Sequence, residues 1–488
     1  MLFIRSNTLA LSLHASERRR LLDALAAESE FTPLIRAARR RFFQTLVAPS
    51  GGDAASVAAA AAELERECEA RRESDGGVAY TPGELFCAGD CVLSLLFRES
   101  ASEGVSAGIA YSVETSEPLA KLERFCRDVR EALVELRGAE GGARATTEPA
   151  PDLPGWEARA GSSPEGLARF IAIQPADFVR AAAALRGGRE LTRASELMEE
   201  RTVRSFLRRV QELRREGYTP RRLLTEAGAL AGVSVEMMLD AGLLEREVRV
   251  SCRKSGHALF DLPSPDSLAA ITISKAKCSQ CAAPVADEVV EETINPTRLA
   301  VSLLEDGRWL GNRVYQIIRS LGIPEVEIAT GPASAHGESC LAVEVCGSSF
   351  LFVARDGDLT PAFCRRVAEV VEETEATHLV VVVTGAVEDE GQLRLYEFAW
   401  RRARAGRDLD VTLVEGLRGA RAQIERSFER VVHRELSRHL FALDAALGFS
   451  AGNFVLGWFK LAQASGARGR AGDARPPSIF GLDRQVAS

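Results

Sequence analysis

Histidine, lysine and long apolar runs are what this chain has least of. Six histidines in 488 residues leave little material for acid/base chemistry near neutral pH. Five lysines stand against 56 arginines, and alanine is abundant; this is the residue usage of a GC-rich bacterial genome, and it weakens any argument from arginine content alone. No run of 18 apolar residues occurs, which excludes a helical membrane span. The N-terminus, Met1-Leu-Phe-Ile-Arg-Ser-Asn-Thr, lacks a basic region followed by a long apolar stretch, so no signal peptide is expected and a cytoplasmic location is. There is no G-x-x-x-x-G-K-S/T, no G-x-G-x-x-G after a strand, no G-x-S-x-G and no H-E-x-x-H, so the common nucleotide, hydrolase and zinc-protease signatures are absent.

The net charge of −8 and pI near 5.6 argue against a surface coated in nucleic acid. They leave room for one basic face. Between Arg201 and Ser255, 12 Lys and Arg face 7 Asp and Glu, so positive charge is concentrated there.

At this length three to four units are expected. Residues 1–137 read as an N-terminal α/β domain: a strand at Leu2-Phe-Ile-Arg, helices around Ser16–Ala27 and Ala54–Glu73, extended segments near Glu84–Phe97 and Gly108–Val113, and a closing helix from Pro118 to Leu136. Residues 138–164 turn to Gly, Ala, Pro, Ser and Thr and read as a flexible linker, in which Trp156 either pins the segment to a surface or stays partly exposed. A helical, winged-helix-like segment occupies 165–249, with a long helix from about Leu191 to Gly217, then Arg221–Ala231, and then Ser234–Leu244 with Ser234 as N-cap. The fold class is therefore multidomain α/β and α+β.

The extended Glu247-Val-Arg-Val-Ser leads into residues 250–290, where Cys252-Arg-Lys-Ser255-Gly256-His257 faces Lys277-Cys278-Ser-Gln-Cys281. This reads as a zinc ribbon short of one cysteine. Each knuckle of a ribbon supplies two ligands to one tetrahedral Zn²⁺. Cys278 and Cys281 fit as C-x-x-C, and Cys252 begins the other knuckle. Ser255 stands where its second cysteine belongs, so His257 is the expected fourth ligand of one structural Zn²⁺. A reducing compartment favours metal over a disulfide for these thiols. Around the ribbon, Arg204, Arg208, Arg209, Arg221, Arg222, Arg249, Arg253 and Lys254 are the candidate nucleic-acid contacts.

Residues 295–416 have the order α-β-β-β-α-β-α-β. A helix containing Trp309-Leu-Gly-Asn-Arg leads to Val326-Glu-Ile-Ala, then to Leu341-Ala-Val-Glu344-Val and Ser349-Phe-Leu-Phe-Val-Ala, a helix over Pro361–Glu373, and the apolar Leu379-Val-Val-Val-Val. This order resembles the core of the restriction-endonuclease-like superfamily. The resemblance implies an acid on one strand and a Glu-x-Lys on the next, binding Mg²⁺ and orienting the attacking water. Here the Glu-x-Lys position reads Val353-Ala354-Arg355, and no lysine lies between Lys277 and Lys460. The resemblance therefore implies a nuclease fold kept for binding or assembly. A surviving activity would use Glu344 with Asp356 or Asp358.

Residues 417–462 are C-terminal helices, with Ile424, Phe428, Val431, Val432, Leu436 and Leu440 along one side of an amphipathic helix over Ala420–Leu447. Residues 463–488 read as a flexible tail ending in Ser478-Ile-Phe-Gly-Leu482. Taken together, these features point to a non-catalytic bacterial subunit that recognises nucleic acid, DNA ahead of RNA, or assembles with other protein subunits or copies of itself. They are similar in kind to accessory subunits of prokaryotic antiphage defence or mobile-element systems. The alternatives are a metal-dependent nuclease and a protein-only scaffold acting through the C-terminal helix and tail. No membrane partner is expected.

Overall fold

The computed structural model describes residues 1–27, 31–47, 53–74, 82–98, 104–140, 154–158, 189–215, 234–262, 267, 277–284, 289–305, 307–331, 337–374, 376–447 and 449–469. The chain is mixed α/β, with thirteen helices and three sheets among these residues. None of these helices is long and apolar enough to cross a membrane. Packing divides the chain into two compact units, one made of Met1–Ser162 with Arg426–Ser488 and the other of Ser163–Glu425.

The first unit is built on a six-stranded antiparallel sheet in the order β2-β3-β4-β5-β1-β6. Its strands are β1 (Leu2–Leu9), β2 (Thr32–Pro33), β3 (Gly83–Ala88), β4 (Cys91–Phe97), β5 (Val105–Ser112) and β6 (Glu157–Ala158). Every residue of β4 is buried, which follows from a strand apolar on both faces. Cys91, Leu93, Leu95 and Phe97 enter one core with α1 (Ala15–Ala27) and α4 (Pro118–Glu140). Val92 and Leu96 enter a second core on the opposite face. That face takes Leu34 and Ile35 of α2 (Leu34–Val47), Leu436, Leu440 and Leu443 of α12 (Ala420–Leu447), and Ala451, Val455 and Phe459 of α13 (Ala451–Gly469). The apolar side of the C-terminal helices thus covers the sheet formed by the start of the chain.

Within the segment read as a linker, α4 extends to Glu140 and Glu157–Ala158 adds a strand beside β1. Trp156 donates its indole N–H to the Cys126 carbonyl at 2.9 Å and packs on the first core, which anchors this stretch. The α3 helix (Ala54–Ser74) lies along α2.

The second unit contains a five-stranded sheet in the order β10-β11-β12-β13-β14, antiparallel from β10 (Ile328–Thr330) through β11 (Glu338–Val345) to β12 (Ser348–Arg355), then parallel through β13 (His378–Val383) to β14 (Asp410–Glu415). The helix α10 (Pro361–Thr374) and the helix α11 (Asp389–Arg404) share a core with Leu351, Val353, Leu379, Val381 and Val383, while α9 (Arg308–Ser320) packs on β11 and β12. The continuous apolar runs Phe350–Ala354 of β12 and Leu379–Val383 of β13, buried on both faces, account for a sheet sandwiched between helices.

The long helix expected over Leu191–Gly217 is instead two: α5 (Arg189–Leu197) and α6 (Arg201–Arg215). The break at 198–200 is stabilised by Arg204, whose guanidinium donates to the Met198 and Glu199 carbonyls that the interrupted helix leaves without partners. After α7 (Val235–Asp240), capped by the Ser234 hydroxyl accepting from the Met237 N–H, the chain enters a three-stranded sheet in the order β8-β7-β9: β7 (Leu244–Ser251), β8 (Ala258–Leu262) and β9 (Val289–Pro296). One more helix, α8 (Arg298–Glu305), follows β9.

Candidate metal centre

The thiols of Cys252, Cys278 and Cys281 lie within 4.8 Å of one another. Cys252 Sγ is 3.3 Å from Cys281 Sγ. Among the described residues no other group of three or more His, Cys, Asp or Glu side chains converges in this way.

The two turns that deliver these thiols have the same backbone frame. In the first, the Cys252 N–H donates to the His257 carbonyl at 2.8 Å and the Gly256 N–H donates to the Cys252 carbonyl at 2.7 Å. In the second, the Cys278 N–H donates to the Ala283 carbonyl at 2.8 Å and the Ala282 N–H to the Cys278 carbonyl at 2.9 Å. Gly256 and Ala282, equivalent in the two turns, have φ of 69° and 56°. This is the left-handed conformation that glycine adopts freely and alanine at a cost. A bridge between Ser251 and Ala258 closes the first turn, and one between Lys277 and Pro284 closes the second.

Superposing these frames puts Cys278 on Cys252 and Cys281 on Ser255. Ser255 Oγ is 3.7 Å from Cys278 Sγ, so the hydroxyl lies beside the thiols at the corner where a fourth cysteine would be. His257, expected from the sequence to supply that ligand, is not among the clustered groups. Its backbone carbonyl closes the turn, and its exposed ring is outside the thiol cluster. The position five residues past Cys252 belongs to the hydrogen-bonded frame of the knuckle.

The donor chemistry fits a thiophilic divalent ion such as zinc. The Ser255 hydroxyl, with the backbone N–H groups of Ser255 and Lys254, stabilises the Cys252 thiolate and brings its pKa down to about 6. The thiolate is the form that binds metal.

The other candidate residues are differently occupied. Arg204 is buried and stacks over the Trp309 ring at 4.4 Å. Its guanidinium is 3.3 Å from the Asp356 carboxylate, and Arg208 is 2.8 Å from the same group. Arg204 is thus an internal tie, while Arg208, half exposed, holds the same carboxylate from the surface. Arg209 pairs with Glu212, and Arg249 pairs with Asp261 through two hydrogen bonds. Arg253 and Lys254 are exposed at the tip of the first knuckle. Arg221 and Arg222 lie outside the described residues.

Of the acids, Glu344 sits at the hairpin end of β11, across from Ser349. Asp356 follows the opposite end of β12, seven residues past Ser349, which at about 3.3 Å per residue separates the two by roughly 23 Å. Glu344 therefore does not join Asp356 or Asp358 in a common site. Burial pushes the Asp356 carboxyl up, but the Thr384 hydroxyl, 2.7 Å away, with Arg204 and Arg208, more than offsets it and leaves its pKa below the usual value. Asp358 accepts from the Ala386 N–H at 2.7 Å, tying the loop after β12 to the loop after β13. The acid across from Arg355 is Glu338, which the sequence reading missed. It is buried and paired with Arg366 of α10. Its only sequence signal is a charge at the first position of a mostly apolar strand.

Comparison of the chain with protein-family models, with curated proteins and with solved structures gives no match.

Proposed function

We propose that this protein is a non-catalytic recognition subunit whose β7–β9 region is held together by one zinc ion and presents its knuckles to nucleic acid. The observation that carries this reading is the shared frame of the two knuckles, which brings three thiols and the Ser255 hydroxyl together. Zinc would supply a structural cross-link here, with Cys252, Cys278 and Cys281 as ligands and Ser255 at the fourth corner. The exposed Arg253, Lys254 and Lys277 at the knuckles support an anionic partner. On α6, Arg204 is buried against Asp356, which also engages Arg208, and Arg209 pairs with Glu212. A phosphodiesterase reading lacks a comparable assembly, because Glu344 lies far from Asp356.

The test is binding of the zinc-loaded chain to single- and double-stranded DNA and RNA at low and physiological salt with Mg²⁺ present. Affinity that falls steeply with salt without cleavage, and that weakens in Arg253→Glu and Lys254→Glu, is the expected result. Absence of binding at either salt would move the reading to a protein-only scaffold. Cleavage lost in Glu344→Gln would replace it with a nuclease.

A further inference from the structure

The α11 helix has two apolar faces, and among the described residues only one of them is covered. Gly391, Leu395 and Arg402 are buried against the five-stranded sheet and α10, with Phe398 and Ala399 partly buried beside them. On the opposite face Leu393, Tyr396 and Trp400 are 58%, 45% and 57% exposed. Their spacing of three and then four residues, continued by Arg404, makes a single stripe along the helix. Arg404 closes it by lying over the Trp400 ring at 3.7 Å.

The charge along α11 is divided. Asp389 and Glu390 open the helix, Arg394 and Glu397 lie between, and Arg401 and Arg404 end its exposed side, Arg402 being buried beside Glu372. We infer that this face pairs with the same face of a second copy of the chain, the two α11 helices running antiparallel about a two-fold axis between Tyr396 and Glu397. With that axis, Leu393 lies against Trp400 of the second copy, Tyr396 beside its Glu397, and Asp389 beside its Arg404. Each contact occurs twice, as a self-complementary interface requires. Antiparallel pairing also sets opposite helix ends, and so opposite charges, next to one another. The reverse arrangement, with parallel helices, would oppose acid to acid and arginine to arginine. A seam one helix long lies at the small end of specific interfaces, so the dimer is reversible and forms with concentration. This pairing is independent of the metal centre.

Sedimentation equilibrium of the full chain over a dilution series tests it. The wild type shows a monomer–dimer equilibrium. Trp400→Glu is monomeric throughout, with an unchanged circular dichroism spectrum. Arg404→Glu, which sets an acid against Asp389 of the second copy, weakens association about tenfold or more. The double variant Asp389→Arg with Arg404→Glu restores it. A chain that is monomeric at every concentration overturns the inference, as does association that Trp400→Glu leaves intact. A swap that fails to restore pairing overturns the antiparallel register. A monomer that binds oligothymidylate through Trp400 would assign the stripe to single-stranded nucleic acid instead.

Discussion

The guanidinium of Arg204 lies 3.3 Å from the carboxylate of Asp356, and both side chains are nearly enclosed. One was expected to contact nucleic acid and the other to hold a catalytic metal. Each is instead the partner that makes burial of the other tolerable, since an unpaired charge in that position would be strongly unfavourable.

Asp356→Asn should therefore destabilise the protein, by about 3 kcal/mol, because it leaves Arg204 and Arg208 without their counter-charge. Arg204→Met should cost a similar amount. The double variant should cost less than the two singles added together, which urea denaturation of all four proteins would measure. The pH dependence has a definite sign. The folded pKa of Asp356 is depressed, so its contribution is present above the unfolded carboxylate range and is lost as pH falls through the folded value.

Glu84 should behave in the opposite way. Its carboxylate is buried on β3 and accepts from the N–H groups of Ile35 and Leu85 at 2.7 and 2.9 Å, with a third bond from the Arg36 N–H at 3.1 Å. Burial nonetheless raises its pKa from 4.5 to about 7. A group that binds its proton more tightly when folded stabilises the fold fully below pH 4.5 and loses that contribution as pH rises toward 7, about 3 kcal/mol in all. Glu84→Gln should remove this slope from stability measured between pH 4.5 and 7.5. An unchanged slope would assign it to another group.

At the knuckles, Ser255→Cys should tighten zinc binding and add a fourth thiolate to the charge-transfer absorption of the Co²⁺-substituted protein. His257→Ala should change neither affinity nor spectrum. Cys281→Ala should weaken binding sharply. A spectral change in His257→Ala would make the imidazole a ligand after all, whereas failure of the wild type to bind either metal would remove the metal reading altogether.

Gly391→Ala should be destabilising even though alanine is the better helix former by about 1 kcal/mol. A Cβ at Gly391 would stand 2.4 Å from the Leu359 carbonyl oxygen, so α11 could not remain as close to the loop after β12. A lowered melting temperature is expected, and a raised one would show that the loop yields.

Much of the architecture was legible because it depends on period and punctuation. The apolar run of β13, the helical spacing of α10 and α12, and the Ser234 cap could be read directly from the sequence. The knuckle cysteines were legible for the same reason, as a short spacing with a specific chemistry. What was not legible depends on contacts between distant residues. Arg204 carries a charge that sequence reading assigns to the surface, and only packing against Trp309 and Asp356 shows that it is internal. The helix break at 198–200 rests on that same side chain. Glu344 and Glu338 are both acids on β11, and which of them shares an end with Asp356 depends on the hairpin register, which composition does not encode. Ser255 and His257 were separated only by the hydrogen bonds that define the knuckle.

The covering of the first sheet by α12 and α13 has a consequence for synthesis. The strands that carry Leu85, Val92, Leu96 and Ala110 leave the ribosome long before Leu436, Leu440 and Val455, the residues that shield them. At about 5–20 residues per second the interval is on the order of tens of seconds. For that time the nascent chain carries an apolar sheet face that only Leu34 and Ile35 of α2 are in place to cover. Chaperone engagement of the growing chain, and the fate of any product truncated within residues 163–425, should follow from that delay.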